Sequence, residues 1–186
     1  DYGVAQRKGI KAGDKSIPEP IGFLMAGWGK MQSGEQSLIP FAGRGSIARY
    51  IPKGAGVSAL EQDIALQADL LVTSASEDFK LREGSFAELN PINKADVVIL
   101  NGNTDGGMNQ YETLEKGFGH LSEGGRLIAV VPNDQLKVAA TLRALGEQAV
   151  LRSTIIVGNP AIDAGTEGTS RIVVVDKISK PAMRSQ

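Results

Sequence analysis

The sequence predicts an α/β domain built on a seven-stranded, mostly parallel sheet with helices on both faces and a C-terminal antiparallel strand. Strand-like apolar runs alternate with helical patterns about five times along the chain. Such alternation places successive strands side by side and parallel. The run at 95–101 has a continuous apolar core rich in β-branched residues, as expected for a strand buried on both faces. The last two runs are joined by a glycine-rich loop that leaves no room for a helix, so they should be antiparallel.

The first helix is predicted after a proline-rich turn at 16–20. Ile21, Leu24, Met25 and Trp28 lie on one helical face there. The seven predicted strands are 37–39, 57–61, 70–76, 95–101, 126–131, 150–157 and 170–176. The remaining predicted helical segments are 45–50, 63–66, 86–89, 111–121 and 134–145.

Composition limits the classes of function open to the chain. Its 186 residues suffice for one domain, and a net charge of -1 does not suit a free-standing nucleic-acid binder. Without cysteine, disulfides and thiolate metal sites are excluded, and the single histidine excludes a multi-histidine zinc site. We therefore expect no metal. We expect no membrane span either, since no apolar run approaches the length of a membrane helix.

The domain boundaries follow from where the periodic pattern starts and stops. Residues 1–17 are expected to form an arm or linker, 18–178 the domain, and 179–186 a loose tail. The chain begins with Asp1, which suggests a piece of a longer polypeptide. His120, at a predicted helix end, is expected to be a capping or surface residue.

A glycine pair and two acidic residues suggest a nucleoside site. Gly43 and Gly45 follow the first predicted strand and would let backbone approach a ligand. Glu61 ends the second strand, where a carboxylate can accept hydrogen bonds from both hydroxyls of a ribose. Asp78 and Phe79 follow the third predicted strand and suit an adenine through its amine and ring face. A tight turn without a ligand is the alternative interpretation of the glycines.

These motifs, in this order, resemble those of DNA amino-methyltransferases. Residues 41–45 resemble an F-x-G-x-G motif, and 16–20 resemble the segment that lies near the methionine moiety of S-adenosylmethionine (SAM). Residues 121–127 and 169–177 are similar to the lead into the fifth strand and to the last strand of such enzymes. The resemblance implies a Rossmann-like class I SAM-dependent methyltransferase fold. It also implies SAM as cofactor, with contacts from Pro18, Phe41, Ala42, Gly43, Gly45, Glu61, Asp78 and Phe79.

The target motif of that family is degenerate in this chain. Amino-methyltransferases carry Asp/Asn-Pro-Pro-Tyr/Phe after the fourth strand, whereas this chain has Asn-Gly-Asn-Thr at 101–104. Asn101 could still accept a hydrogen bond from an amine, and Asn103 and Thr104 are the other catalytic candidates. Thr104 cannot stack on a flipped base, a contact worth about 1–3 kcal/mol per base. The resemblance therefore implies an enzyme impaired for DNA amine methylation.

Two alternatives remain open from the sequence. One is a non-catalytic module of a larger phage or mobile-element protein, linked to antirestriction, whose nucleic-acid contacts come from additional domains or other parts of the polypeptide. The other is an NAD-binding domain, because residues 43–48 also fit G-x-G-x-x-A and Glu61 could serve its ribose. Strand order separates them: an antiparallel seventh strand beside the fifth favours the methyltransferase. The resemblance also implies a cytoplasmic location, in a bacterial host, with a phage virion as the alternative.

Overall fold

The computed structural model describes residues 17–91, 94–157 and 169–179. In this part of the chain, seven strands form one sheet in the order β3-β2-β1-β4-β5-β7-β6. The strands are β1 Gln36–Ile39, β2 Gly56–Leu60, β3 Asp78–Arg82, β4 Ala95–Leu100, β5 Leu121–Pro132, β6 Ala149–Val157 and β7 Ser170–Lys177. The helices are α1 Glu19–Gly29, α2 Ile64–Thr73, α3 Gln110–Gly119 and α4 Gln135–Leu145, with 3₁₀ helices at Ala48–Tyr50 and Phe86–Glu88.

Strand directions confirm the predicted sheet. The four pairings among β1 to β5 are parallel. Strand β7 is antiparallel to both of its neighbours, β5 and β6, between which it lies. The predicted arm at 1–17 and tail at 179–186 lie almost wholly outside the described residues.

Two apolar clusters, one on each face of the sheet, hold the helices in place. Met25 of α1 and Leu70 of α2 pack in the first cluster with Val57, Ile99 and other strand residues. The second cluster combines helical and strand residues, among them Leu114, Phe118, Val138, Leu38, Val98, Leu127 and Val175. The predicted helices on both faces of the sheet are thus confirmed.

The predicted third strand at 70–76 is wrong. Leu70 lies in α2, which begins after Asp63, whose carboxylate accepts the Ala65 N–H at 2.9 Å as an N-cap. Leu66 and Leu70 are both buried, and their spacing of four is that of one helical face. The third strand instead starts at Asp78. A short apolar run does not by itself distinguish a strand from a helix, so tertiary packing decided this segment.

Two other boundaries also differ. The predicted helix at 45–50 contains only the 3₁₀ helix Ala48–Tyr50. The predicted helix at 111–121 ends at Gly119, and Leu121 already belongs to β5, where it pairs with Ala95.

His120 is the C-cap residue of α3, as one of its two predicted roles required, but it does not lie on the surface. Only 1% of the residue is exposed. Its ring lies 5.4 Å from the ring of Phe86. Burial lowers the pKa of His120 to about 4, and the charges of Lys116 and Lys94 act in the same direction. A backbone hydrogen bond at Leu89 acts in the opposite direction.

We therefore expect His120 to titrate near pH 4 in the folded protein, well below the ordinary value of 6.5. In the unfolded chain the imidazole binds its proton first as the pH falls. The stability associated with a neutral His120 is thus complete above pH 6.5 and is lost as the pH falls toward 4. The imidazole NMR resonances of the single histidine, followed against pH, measure this directly. A midpoint at the ordinary value would contradict the burial of this side chain.

Candidate functional site

The loop after β1 has an unusual backbone. Phe41, Gly43 and Gly45 all have positive φ, at 59°, 56° and 89°. This conformation is easy for glycine and unfavourable for phenylalanine. A Cβ on Gly45 would also lie 3.1 Å from the Thr73 side chain, so α2 packs directly against the loop. The loop therefore presents its backbone at the carboxyl end of β1, where open α/β sheets bind their ligands.

Glu61 joins this loop to the start of α2. One carboxylate oxygen accepts the Gly43 N–H at 2.8 Å, and the other accepts the Asp63 N–H at 2.8 Å. A carboxylate oxygen has more than one lone pair, so each can accept a further hydrogen bond. Glu61 thus combines a structural role with a remaining capacity to bind hydroxyl groups.

Asn101 follows β4 and holds two loops together. Its side-chain amide donates to the Phe41 carbonyl at 2.7 Å, and its side-chain oxygen accepts the Asn103 N–H at 3.1 Å. Only 2% of the residue is exposed. These bonds support the left-handed backbone at Phe41. They also orient the amide into the protein rather than toward a ligand.

Asp105 has a similar linking function that sequence reasoning missed. Its carboxylate accepts the Ser85 hydroxyl at 2.7 Å, the Phe86 N–H at 2.6 Å and the Ala87 N–H at 3.0 Å. The loop after β4 is thereby bound to the start of the 3₁₀ helix that follows β3. No local sequence signal connects residues 20 positions apart, so this contact could be found only in three dimensions.

These loops enclose a cavity of about 230 Å³ at the carboxyl edge of the sheet. Five of the predicted site residues line it: Phe41, Gly43, Glu61, Asn103 and Thr104. The other lining residues are Leu60, Gln62, Asp63, Leu66, Gly84, Phe86 and Asp105, which sequence reasoning did not identify. The rings of Phe41 and Phe86 meet edge to face, with centroids 5.9 Å apart.

Asp78 and Phe79 are not brought to this cavity. They begin β3 rather than follow it, and Asp78 pairs with Gly56 at the start of β2. They therefore lie at the amino edge of the sheet, opposite Glu61. The Asp78 carboxylate forms a 2.9 Å ion pair with Lys80. Hydrogen bonds from Lys80 and Gln36 lower the pKa of this carboxyl group below its usual value.

Pro18 and Ala42, also predicted as site residues, are not among the residues that line the cavity. Pro18 begins α1, and its carbonyl accepts the Ile21 and Gly22 N–H groups at 3.0 and 3.1 Å. Ala42 is buried and donates its N–H to the Leu60 carbonyl at 2.9 Å. A Cβ on Gly22 would lie 2.1 Å from the Ser46 carbonyl oxygen, so α1 packs tightly on the far side of the glycine loop.

The described residues contain no helix that is long and apolar enough to cross a membrane. Within the same ranges, no group of three or more His, Cys, Asp or Glu side chains could hold a metal ion.

Sequence comparison and structure comparison give different results. Neither a protein-family model nor a curated protein matches the chain by sequence. Solved structures do match. TrmN from Thermus thermophilus has a TM-score of 0.63 at 19% identity, over 86% of this chain and 49% of its own. A Listeria monocytogenes protein described as a class I SAM-dependent methyltransferase has a TM-score of 0.68 at 16% identity, over 96% of this chain and 66% of its own.

The N-methyltransferase NodS from Bradyrhizobium japonicum, solved with S-adenosyl-L-homocysteine (SAH), has a TM-score of 0.66 at 7% identity, over 88% of this chain and 90% of its own. The chain thus spans about half to two thirds of the first two proteins and most of the third. At these identities the likeness concerns the fold. Together with the antiparallel β7 beside β5, it shows that this chain has the Rossmann-like fold of class I SAM-dependent methyltransferases.

Proposed function

We propose that the cavity at the carboxyl edge of the sheet binds SAM and that the chain is a SAM-dependent methyltransferase domain impaired for DNA amine methylation. The observation that carries the proposal is Glu61. Its carboxylate lies on the cavity wall, bonded to the Gly43 N–H, with lone pairs left for the two hydroxyls of a ribose. Bound SAM would supply an electrophilic methyl group, and the residues of this chain would position it.

The wall on either side of Glu61 suits the rest of an adenosyl group. Leu60, Leu66 and Phe86 provide apolar surface for an adenine ring. Gln62 and the backbone around Gly84 belong to the same wall and can form hydrogen bonds with the polar edge of the adenine. We assign the adenine side to these residues in place of Asp78 and Phe79, which lie at the opposite edge of the sheet.

The expected acceptor side is formed by Asn103, Thr104 and Asp105. None of these can stack on a base. Asn101, the one polar residue kept from the amino-methyltransferase motif, has both ends of its amide bonded inside the protein. These observations support impaired transfer to adenine in DNA, because the motif position 104 has no ring to stack on the base and the Asn101 amide is bonded inside the protein.

The competing interpretations can be ranked on the same observations. An NAD-binding domain of the common doubly wound type has strand order 3-2-1-4-5-6, whereas here the antiparallel β7 separates β5 from β6. A non-catalytic module of a larger phage or mobile-element protein remains the second candidate. Buried Asn101 favours it, since such a module needs the loop structure and not the acceptor chemistry.

Calorimetric titration with SAM and SAH, with NAD as a control, tests the proposal. We expect micromolar binding of SAM and SAH and none of NAD, together with no detectable methyl transfer to adenine in duplex or single-stranded DNA. No binding of either SAM-type ligand would contradict the cofactor assignment and leave the scaffold interpretation. Efficient methylation of DNA adenine would contradict the assigned impairment.

A further inference from the structure

A second cavity, of about 250 Å³, lies outside the SAM site described above. Its polar members are Gln36, Ser37, Ser58, Lys80, Arg82, Asn90, Lys94 and His120, and its apolar members are Leu38, Leu89 and Ala95. It shares no lining residue with the first cavity. Among the described residues that line it, three have positively charged side chains and none is acidic.

Strand register explains why this surface is polar. One row of neighbouring residues crosses six strands on a single face of the sheet, in the order Lys80, Ser58, Leu38, Val98, Leu127 and Val175. The last four are core residues in contact with α3, α4 and one another. The first two are polar, and the described residues between β3 and β4 include the 3₁₀ helix Phe86–Glu88 but no α-helix to cover them. A groove therefore remains over β2 and β3.

Two buried polar atoms in the groove have no hydrogen-bond partner. Within the described ranges, the Ser58 hydroxyl and His120 Nε2 are both inaccessible and unbonded. An unpaired buried polar group costs about 1–3 kcal/mol. His120 is almost completely buried as a residue, so solvent does not satisfy it. Both residues line the cavity, so a small movement of either side chain would bring its unbonded atom to a group bound there.

The cations of the groove are only partly neutralised. Lys80 pairs with Asp78 at 2.9 Å. Among the residues that the structure describes, Arg82 and Lys94 have no carboxylate within ion-pair distance. Lys94 donates a hydrogen bond to the carbonyl of Gly119, the residue before His120. Because this acceptor is neutral, the positive charge of Lys94 is not compensated by it. The pKa of His120 is lowered mainly by burial, and the positive charges of Lys116 and Lys94 lower it further.

We propose that this groove is a binding site for a phosphate group, held by Arg82, Lys94 and Lys80, with the Ser58 hydroxyl donating a hydrogen bond and the neutral His120 Nε2 accepting one. A tetrahedral oxyanion matches both the guanidinium and ammonium donors and the unbonded hydroxyl. A singly protonated phosphate can also donate to the neutral imidazole at Nε2. A small phosphorylated compound and a nucleic-acid backbone both carry such a group and share this chemistry.

His120 provides a specific probe because the chain has a single histidine. Its imidazole NMR resonance, near neutral pH, is followed while inorganic phosphate is added, with sodium chloride at matched ionic strength as the reference. We expect a saturable shift with phosphate that chloride does not produce. Equal responses to the two salts would overturn the proposal. SAH does not enter the measurement, so failure of the SAM assignment would leave this result unaffected.

Substitutions of groove residues test whether phosphate binds in the groove. Arg82→Gln is expected to weaken phosphate binding about tenfold, as loss of one charge-assisted contact would. Lys80→Gln, also on the edge strand, is a second variant should Arg82→Gln unfold. Arg143→Gln is the matched control, because Arg143 is exposed on α4. An unchanged affinity in both groove variants, with the fold intact by circular dichroism, would also overturn the proposal.

The same resonance distinguishes the two sources of phosphate. Ribose 5-phosphate and a short single-stranded oligonucleotide are titrated in parallel at matched ionic strength. Tighter binding of the oligonucleotide, with the same loss in Arg82→Gln, indicates a nucleic-acid backbone. Preference for ribose 5-phosphate indicates a small phosphorylated ligand. If neither competes with inorganic phosphate for the His120 response, the proposed site is wrong.

Discussion

Replacing Glu61 by glutamine is expected to weaken SAM binding about 10- to 100-fold, the effect of losing about 1.5–3 kcal/mol of hydrogen bonding to a charged group. The carboxylate accepts the Gly43 and Asp63 N–H groups and, in the proposed complex, two ribose hydroxyls. A glutamine has one oxygen in place of two. Its NH₂ group would face either a backbone N–H or a ribose hydroxyl that needs an acceptor.

Calorimetry on the wild type, Glu61→Gln and Glu147→Gln measures this effect. Glu147 is exposed in the loop before β6, so its substitution removes the same charge without touching the cavity. We expect Glu147→Gln to bind SAM like the wild type. Thermal unfolding of each variant shows whether Glu61→Gln remains folded. An unchanged affinity in folded Glu61→Gln would show that the ribose is not bound at Glu61.

Replacing Asn101 by alanine is expected to lower the free energy of unfolding by about 2–4 kcal/mol. The substitution leaves the Phe41 carbonyl and the Asn103 N–H without their Asn101 partners in a partly buried setting. Each unsatisfied group costs about 1–3 kcal/mol. The strained backbone at Phe41, with φ at 59°, would lose its main side-chain support. SAM binding should weaken as well, because Phe41 lines the cavity.

Urea unfolding followed by circular dichroism measures the first effect. Asn90→Ala is the control, since Asn90 is exposed and a surface substitution of this kind usually changes stability by about 0.5 kcal/mol or less. Equal stability of the Asn101→Ala variant and the control would contradict the role of Asn101 in linking the two loops. If Asn101→Ala has wild-type stability but loses methyl transfer to an amine, Asn101 has the catalytic role that its position in the motif suggests.

Much of the fold could be predicted because its signals are local. Three features each imply one structure by sterics or chain length alone: the apolar, β-branched core of β4, the glycines after β1 and the short connection between the last two strands. The location of Glu61 followed in the same way, since a residue after a parallel strand lies at the carboxyl edge of the sheet. The predicted antiparallel end of the sheet was confirmed by the pairing of β7 with β5 and β6.

The residues misplaced by sequence reasoning depend on contacts between distant segments. Leu70 fits a strand or a helix equally well, and only packing of α2 against the glycine loop decided for the helix. Because the third strand begins at Asp78 and does not end before it, Asp78 lies at the amino edge of the sheet and not at the predicted carboxyl edge.

Local sequence determined which backbone conformations and strands this chain can form. The tertiary structure decided which side chains face the cavity. Asn101 donates to the Phe41 carbonyl, 60 residues away along the chain. Asp105 accepts the Phe86 N–H at the start of the 3₁₀ helix, 19 residues away. A hydrogen bond depends on distance in space, and the separation of two residues along the chain does not reveal it.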